Sequence, residues 1–298
     1  MGVTMPLGTS IDVRAALSAH RQGAGDPTTQ HEPGGWWRAT CTPAGPATVH
    51  VWWGNAGVDA EAWGPGSDWL LARVPRLVGE YDEPVHFDDA HPAVAAAQHK
   101  HPRLRIGAGG GLYHSLLPTV IGQRVTAVEA HRSWRQICSA LGTRAPGPRL
   151  LCLPPSPRDL SRQPYWWFHR FGVERSRADT LRSIGRHALM IDELDHAGDP
   201  VEARRRLALL PGIGVWTIGS VLGPVFGDPD AIAVGDYWLK HIVTWALAGE
   251  PRGDDERMIE LLERYRGQRG RVVRLLAADG WRPPRFGPRQ RIVQIAAL

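Results

Sequence analysis

Cysteine is scarce in this chain of 298 residues: Cys41, Cys138 and Cys152 are widely spaced and odd in number. A disulfide framework is therefore not expected. A four-cysteine zinc or iron–sulfur site fails on ligand count unless other side chains help, and all three read as small buried hydrophobes. Lysine is scarcer still. Lys100 and Lys240 are the only two, and every other cation of the Lys/Arg pair is arginine, which limits where a lysine nucleophile can sit. No apolar run reaches the roughly 18 residues of a membrane span, so none is expected. The first ten residues, MGVTMPLGTS, lack a basic segment followed by an apolar one. No secretory signal is read there, and a cytoplasmic location is expected. No internal repeat of fixed period is found.

What is present is ordinary for a soluble globular protein: 43% hydrophobic and 22% charged residues. The length suffices for a substantial core and for two or three domains. The formal net charge of +5 leans mildly toward an anionic partner such as DNA, although many basic proteins bind none.

Residues 1–90 read as a small α+β domain. Residues 11–20 have helical spacing, 36–41 and 48–53 are short β-prone runs, and 67–78 return to helical periodicity with Pro75 as an interruption. From residue 91 to 298 the β-prone alternation nearly vanishes. Helices are predicted over 91–100, 113–121, 126–141, 176–188, 200–209, 214–226, 235–248, 254–266 and 271–278, with short links rich in Pro and Gly. The Pro-rich stretch 142–157 reads as a connector between two helical halves. The fold class is thus mostly α, with two helical domains after a small α+β one. The tryptophan pairs Trp36-Trp37, Trp52-Trp53 and Trp166-Trp167 read as core and interface packing.

Residues 207–243 carry the chemistry. In the segment Leu210-Pro211-Gly212-Ile213-Gly214, proline stops one helix, two glycines flank one apolar residue, and a new helix starts near Val215. The unpaired N–H groups and the dipole of that second helix suit a phosphate, and Ile213 would plug the groove between the helices. Thr217 could add a hydroxyl donor. Taken alone, a plain αα-hairpin with a glycine turn explains the segment as well. One helix and one short loop later, Gly235-Asp236-Tyr237 places an acid at the start of another helix. Asp236 reads as an N-cap worth about 1 kcal/mol. It reads equally as a carboxylate facing the same nucleotide that the hairpin grips, and both can hold at once.

The sequence here resembles the helix-hairpin-helix DNA glycosylase superfamily, on LPGIG-VWT followed by AIAVGDYWLK. Upstream, LLPTVIGQRVTAVEAHRSWRQI, SPRDLSRQ and FGVERSRADTLRSIGRHA are similar, in the same order, to the bacterial 3-methyladenine DNA glycosylase II family. The match covers most of residues 100–298 and residues 1–99 loosely. The resemblance implies a β-rich domain of about one hundred residues ahead of two helical ones. It implies Asp236 as the catalytic aspartate, Gly212 and Gly214 as phosphate-holding hairpin amides, and Thr217 as a nearby phosphate contact. The main-chain carbonyls of Ala208, Leu210 and Ile213 match positions that bind a monovalent cation; no other cofactor is expected. Gln123 and Arg124 match the turn that pushes a side chain into the gap left by an extruded base. Trp216 stands where lyase members place a lysine and, with Tyr237, is expected in the base pocket. Two positions depart from the pattern: Ser220 replaces an aromatic residue, and Arg124 replaces an apolar wedge.

The implied activity is monofunctional hydrolysis of the N-glycosidic bond of alkylated bases in double-stranded DNA, by a monomer. A carboxylate beside C1′ stabilises the positive charge that builds on the sugar, and π faces bind a cationic base. Trp238 and Trp281 read as core packing, and Lys240 as a phosphate contact or surface cation about one turn past Asp236. The alternatives are a glycosylase for deaminated or oxidised bases and a DNA-binding protein without catalysis. A metal site at His99 and His101 has the weaker claim, because paired histidines around a lysine are usually solvated surface.

Overall fold

The computed structural model describes residues 2–5, 11–54 and 57–284. The last stretch of the helical region read from the sequence, residues 285–298, lies outside the described residues. The N-terminal part is an antiparallel sheet with strand order β1-β5-β4-β3-β2. Its strands are β1 (Gly2–Met5), β2 (Thr29–Glu32), β3 (Gly35–Thr42), β4 (Gly45–Gly54) and β5 (Gly57–Trp63). Alternation along β3 and β4 sets the two faces. Trp36 and its register partner Val51 pack one face onto three short helices, α1 (Val13–Ser18), α2 (Ser67–Leu71) and α3 (Val74–Val78). Trp37 and its partner His50 stack on the other face, 3.9 Å between ring centroids. The stretch 142–157 does more than connect: Ala145, Leu151 and Leu153 seal this second face against Trp37 and Ala39. Pro75 begins α3 near its N-terminus, where it costs no hydrogen bond, instead of interrupting one long helix.

The described residues from Pro92 onward form helices joined by links. The helices are α4 (Pro92–Lys100), α5 (Leu112–Ile121), α6 (Ala127–Leu141), α7 (Pro157–Arg162), α8 (Arg175–Arg186), α9 (Ala188–Ala197) and α10 (Pro200–Leu207). They continue with α11 (Val215–Phe226), α12 (Leu239–Ala248), α13 (Asp255–Leu262) and α14 (Arg269–Ala278), and a 3-10 turn spans Tyr165–Phe171. Local chemistry fixes several starts. Thr126 and Glu129 form a reciprocal capping box on α6. Ser156 and Asp199 cap α7 and α10 just ahead of a proline in each first turn. Helix α5 is the hub: eight of its ten residues are buried, and it packs on α6, α8, α9 and α11 in the main core. A second core joins α4, early in the helical region, to α12 and α14 near its end. Among the described residues no helix is long and apolar enough to cross a membrane.

A buried polar joint ties the sheet to α5 and α6. Asp26 accepts from the Thr28 amide and hydroxyl, the Thr29 hydroxyl and the Trp134 indole at 2.7 to 3.0 Å. His114 on α5 sits between the hydroxyls of Thr40 at 3.0 Å and Thr28 at 3.2 Å. Burial, then the neighbouring Arg38 cation, holds His114 and His20 well below the usual histidine range, and burial pushes Arg38 itself down to about 10. The folded state thus binds these two protons less readily than the unfolded chain, whose histidines titrate near ~6.5. Their contribution is complete above that pH and is lost as pH falls below it. We expect stability to drop between pH 6.5 and pH 5 by up to about 1.4 kcal/mol per pH unit for each histidine. Urea titrations across that window check it, and His114→Gln flattens the slope; an unchanged slope contradicts this role for His114.

Candidate active site

Two glycine-dependent features build the site. The first is the hairpin between α10 and α11. Gly212 has φ +83°, and a Cβ there would lie 1.9 Å from the Thr180 hydroxyl on α8, so the turn can nest against α8 only without a side chain. Ile213 is buried in the main core between the helices, as the pattern requires. Gly214 caps α11, no side chain caps the first turn, and nothing stands within 4 Å of where its Cβ would be. The first N–H groups of a helix of 12 residues are therefore presented through an uncluttered opening. The second feature is Gly219 in the middle of α11. A Cβ there would meet the Ile232 carbonyl at 1.9 Å, so the loop leading to Asp236 lies flush on the helix backbone.

That loop delivers Asp236 to the cleft. The Asp236 amide donates to the Ala233 carbonyl at 3.0 Å, closing a turn. Helix α12 starts only at Leu239, later than the spacing suggests, and Asp236 Oδ1 accepts from the amides of Trp238 and Leu239, each at 2.9 Å. Trp238, not Asp236, is the N-cap of α12; Asp236 sits two residues ahead and satisfies these two amides through one oxygen. The other oxygen, Oδ2, accepts the Trp216 indole N–H at 3.3 Å. Trp216, the second residue of α11, and Asp236 thus both line an open cleft of about 950 Å³. The hairpin residues Gly212 and Gly214, the turn Gly122–Val125, the inner face of α8, Tyr237 and Lys240 complete the lining.

The remaining residues read from the sequence fall around this cleft with altered roles. Gln123 does not point out as a wedge: its amide donates to the Gly212 carbonyl and to the Thr217 hydroxyl, each at 2.9 Å, and clasps the hairpin. Thr217 is buried with its oxygen so engaged. Arg124, exposed beside Gln123, is the one residue other than glycine with positive φ (58°) among the described residues. Strain of this kind costs of order 1 kcal/mol and collects at functional turns. Lys240 is not a free cation; it pairs with Asp255 at 3.2 Å, and Asp255 also receives the Gly235 amide at 2.9 Å. Ser220 donates to the Trp216 carbonyl at 2.7 Å. Trp238 is 48% exposed and Trp166 61% exposed, so neither is the core residue read from composition, whereas Trp281 packs on the second core.

Asp255, Thr180 and Gly219 were missed by sequence reasoning. A glycine in mid-helix is itself a signal of close approach, so Gly219 was open to reading; the other two act across long sequence gaps. Lys100 and His101 both face Asp279, at 2.8 and 3.7 Å. Among the described residues no group of three or more His, Cys, Asp or Glu could hold a metal ion.

No family model matches the chain, and no curated relative matches it in sequence. Solved structures do. A 3-methyladenine DNA-glycosylase from Archaeoglobus fulgidus is similar over 93% of this chain and 98% of its own, with TM-score 0.74 and 17% identity. The 8-oxoguanine glycosylase/lyase of Clostridium acetobutylicum, in complex with double-stranded DNA containing cytosine opposite 8-oxoG, is similar over 90% of both chains, with TM-score 0.66 and 13% identity. Its apo-form gives TM-score 0.64. The fold of this chain is that of these DNA glycosylases.

Proposed function

We propose that this protein is a monofunctional DNA glycosylase that hydrolyses the N-glycosidic bond of alkylated bases of the 3-methyladenine type. The observation that carries the reading is the convergence on one cleft of an uncapped helix N-terminus and of Asp236 held by three N–H donors. The helix terminus suits a phosphate of the DNA backbone. Double-stranded DNA is the substrate in this reading, and the target nucleotide leaves the stack at a cost of a few kcal/mol. Arg124, pre-set by its strained backbone, would occupy the gap. Asp236 then faces C1′, stabilises the positive charge that develops there, and orients water.

The placement of the amines supports monofunctional hydrolysis. A lyase needs a free amine at C1′. Of the two lysines, Lys100 lies against Asp279 and Lys240 pairs with Asp255, and the group that contacts Asp236 is an indole, not an amine. The product is an abasic site with an intact strand. Borohydride added during turnover should trap no covalent complex; a trapped band would refute this part of the reading. The aromatic walls Trp216 and Tyr237 favour a cationic alkylated purine through cation–π attraction. The 8-oxoguanine glycosylase/lyase among the similar folds supports oxidised bases as a second reading.

Trp216→Phe removes the indole donor and keeps the ring. One hydrogen bond to a charged group is worth about 1.5–3 kcal/mol, so the single-turnover rate should fall at least about tenfold with DNA affinity little changed. A variant as fast as wild type would show that this contact does not position the carboxylate. The main-chain carbonyls of Ala208, Leu210 and Ile213 share the hairpin turn, where Leu210 already accepts the Ile213 amide at 3.0 Å. Neutral oxygen donors of this kind suit a monovalent cation, which would add positive charge next to the phosphate.

A further inference from the structure

The 3-10 turn Tyr165–Phe171, sequence YWWFHRF, is not accounted for by the cleft chemistry. It gathers aromatic rings and cations within one short segment that runs into α8. Phe168 is buried and anchors the turn in the main core. Trp166 stands 61% exposed. The Arg170 guanidinium lies over the rings of Trp167 and Phe171, at 4.5 and 4.7 Å. The Arg175 guanidinium lies 4.6 Å over Tyr165 and 3.6 Å from Asp179. Burying a tryptophan is worth far more than exposing it, so an exposed indole on a rigid, anchored turn is costly unless it meets a partner.

The charges and the position name that partner. Arg170 and Arg175 are both exposed, follow the indole in sequence and cover the rings of its two chain neighbours, Trp167 and Tyr165. Arg175 opens α8, and Ser176, Asp179 and Ser183 on that same helix line the cleft. A DNA strand leaving the cleft at this end of α8 would meet Arg175, whose neighbours Glu174 and Ser176 line it. Exposed aromatic faces beside arginines are how proteins hold unpaired bases, with the ring stacking the base and the cation taking the adjacent phosphate.

We propose that Trp166, with Arg170 and Arg175, is a stacking platform for an unpaired DNA base next to the cleft, so that this protein binds single-stranded DNA at a site separate from Asp236. The proposal takes from the proposed function only that the cleft binds DNA. Stacking of one base is worth about 1–3 kcal/mol, equivalent to about a 5- to 150-fold change in affinity.

Fluorescence anisotropy with a labelled lesion-free oligothymidylate tests it, with base release from a duplex lesion substrate measured in parallel. Trp166→Ala should bind the oligonucleotide at least fivefold more weakly than wild type, while its single-turnover base release at saturating enzyme stays within twofold. Trp166→Phe should restore most of the oligonucleotide affinity, and circular dichroism melting confirms that both variants fold. Oligonucleotide binding by Trp166→Ala within twofold of wild type overturns the proposal. So does a phenylalanine variant as weak as the alanine one. Trp166-dependent binding by a wild-type protein that releases no base would leave the platform standing and remove the glycosylase reading instead.

Discussion

Asp236→Asn should lower the single-turnover rate of base release by about 10²- to 10⁴-fold, the range for losing one positioned acid–base or charge-stabilising group. DNA affinity should stay within a few-fold. The substitution keeps the contacts to α12 while removing the charge. Asparagine is as good a helix cap as aspartate, so its remaining oxygen can keep the bonds to the amides of Trp238 and Leu239. What is lost is the negative charge facing the cleft, together with the Oδ2 acceptor of the Trp216 indole N–H. Melting temperature should therefore barely move while catalysis collapses. Equal loss of stability and activity would mean that Asp236 serves α12 and not the reaction.

Gly219→Ala should be the most damaging single methyl group in the site. Helix propensity alone argues for the change, by about 1 kcal/mol. Packing argues against it more strongly. The new Cβ would lie 1.9 Å from the Ile232 oxygen, 2.5 Å from its carbonyl carbon and 3.0 Å from the Ala233 Cα. These are backbone atoms and cannot rotate away, so the loop must move bodily. Overpacking of this kind costs about 1–3 kcal/mol or more. The loop carries Asp236 through the bond from its amide to Ala233, and a displacement of about 1 Å at a reacting group costs on the order of 10² in rate. We expect a lower melting temperature together with an activity per folded molecule reduced about 100-fold. A variant as active and as stable as wild type would show that the close approach does not position the acid.

The parts of this account that were legible in the sequence are those written in local chemistry. The hairpin shows in Pro211, Gly212 and Gly214, because a helix stop and a tight turn need those residue types within a few positions. Asp236 shows as an acid after an apolar run at a helix start. What stayed hidden is paired across distance. Gln123 clasps a hydroxyl 94 positions away, and Asp26 reaches the Trp134 indole 108 positions away. Periodicity contains neither pair. Lys240 looked free because Asp255, its partner, sits on the next helix. Strands β2 and β5 escaped notice because one is short and the other is built from small residues, Ala60 and Ala62, with little β-prone signal. Trp166 and Trp238 looked like core residues because burial is the usual fate of an indole; their exposure is a property of the surface they form.

The central claim is that Asp236 and the hairpin act on one extruded nucleotide to break its N-glycosidic bond. Purified protein incubated with duplex DNA carrying a single methylated purine, followed by chromatography of the released small molecules, tests this directly. The account predicts free methylated base and an abasic strand of unchanged length. DNA binding with no free base from methylated purine, hypoxanthine, uracil or oxidised guanine would contradict it and leave a helix-hairpin-helix protein that binds DNA without catalysis.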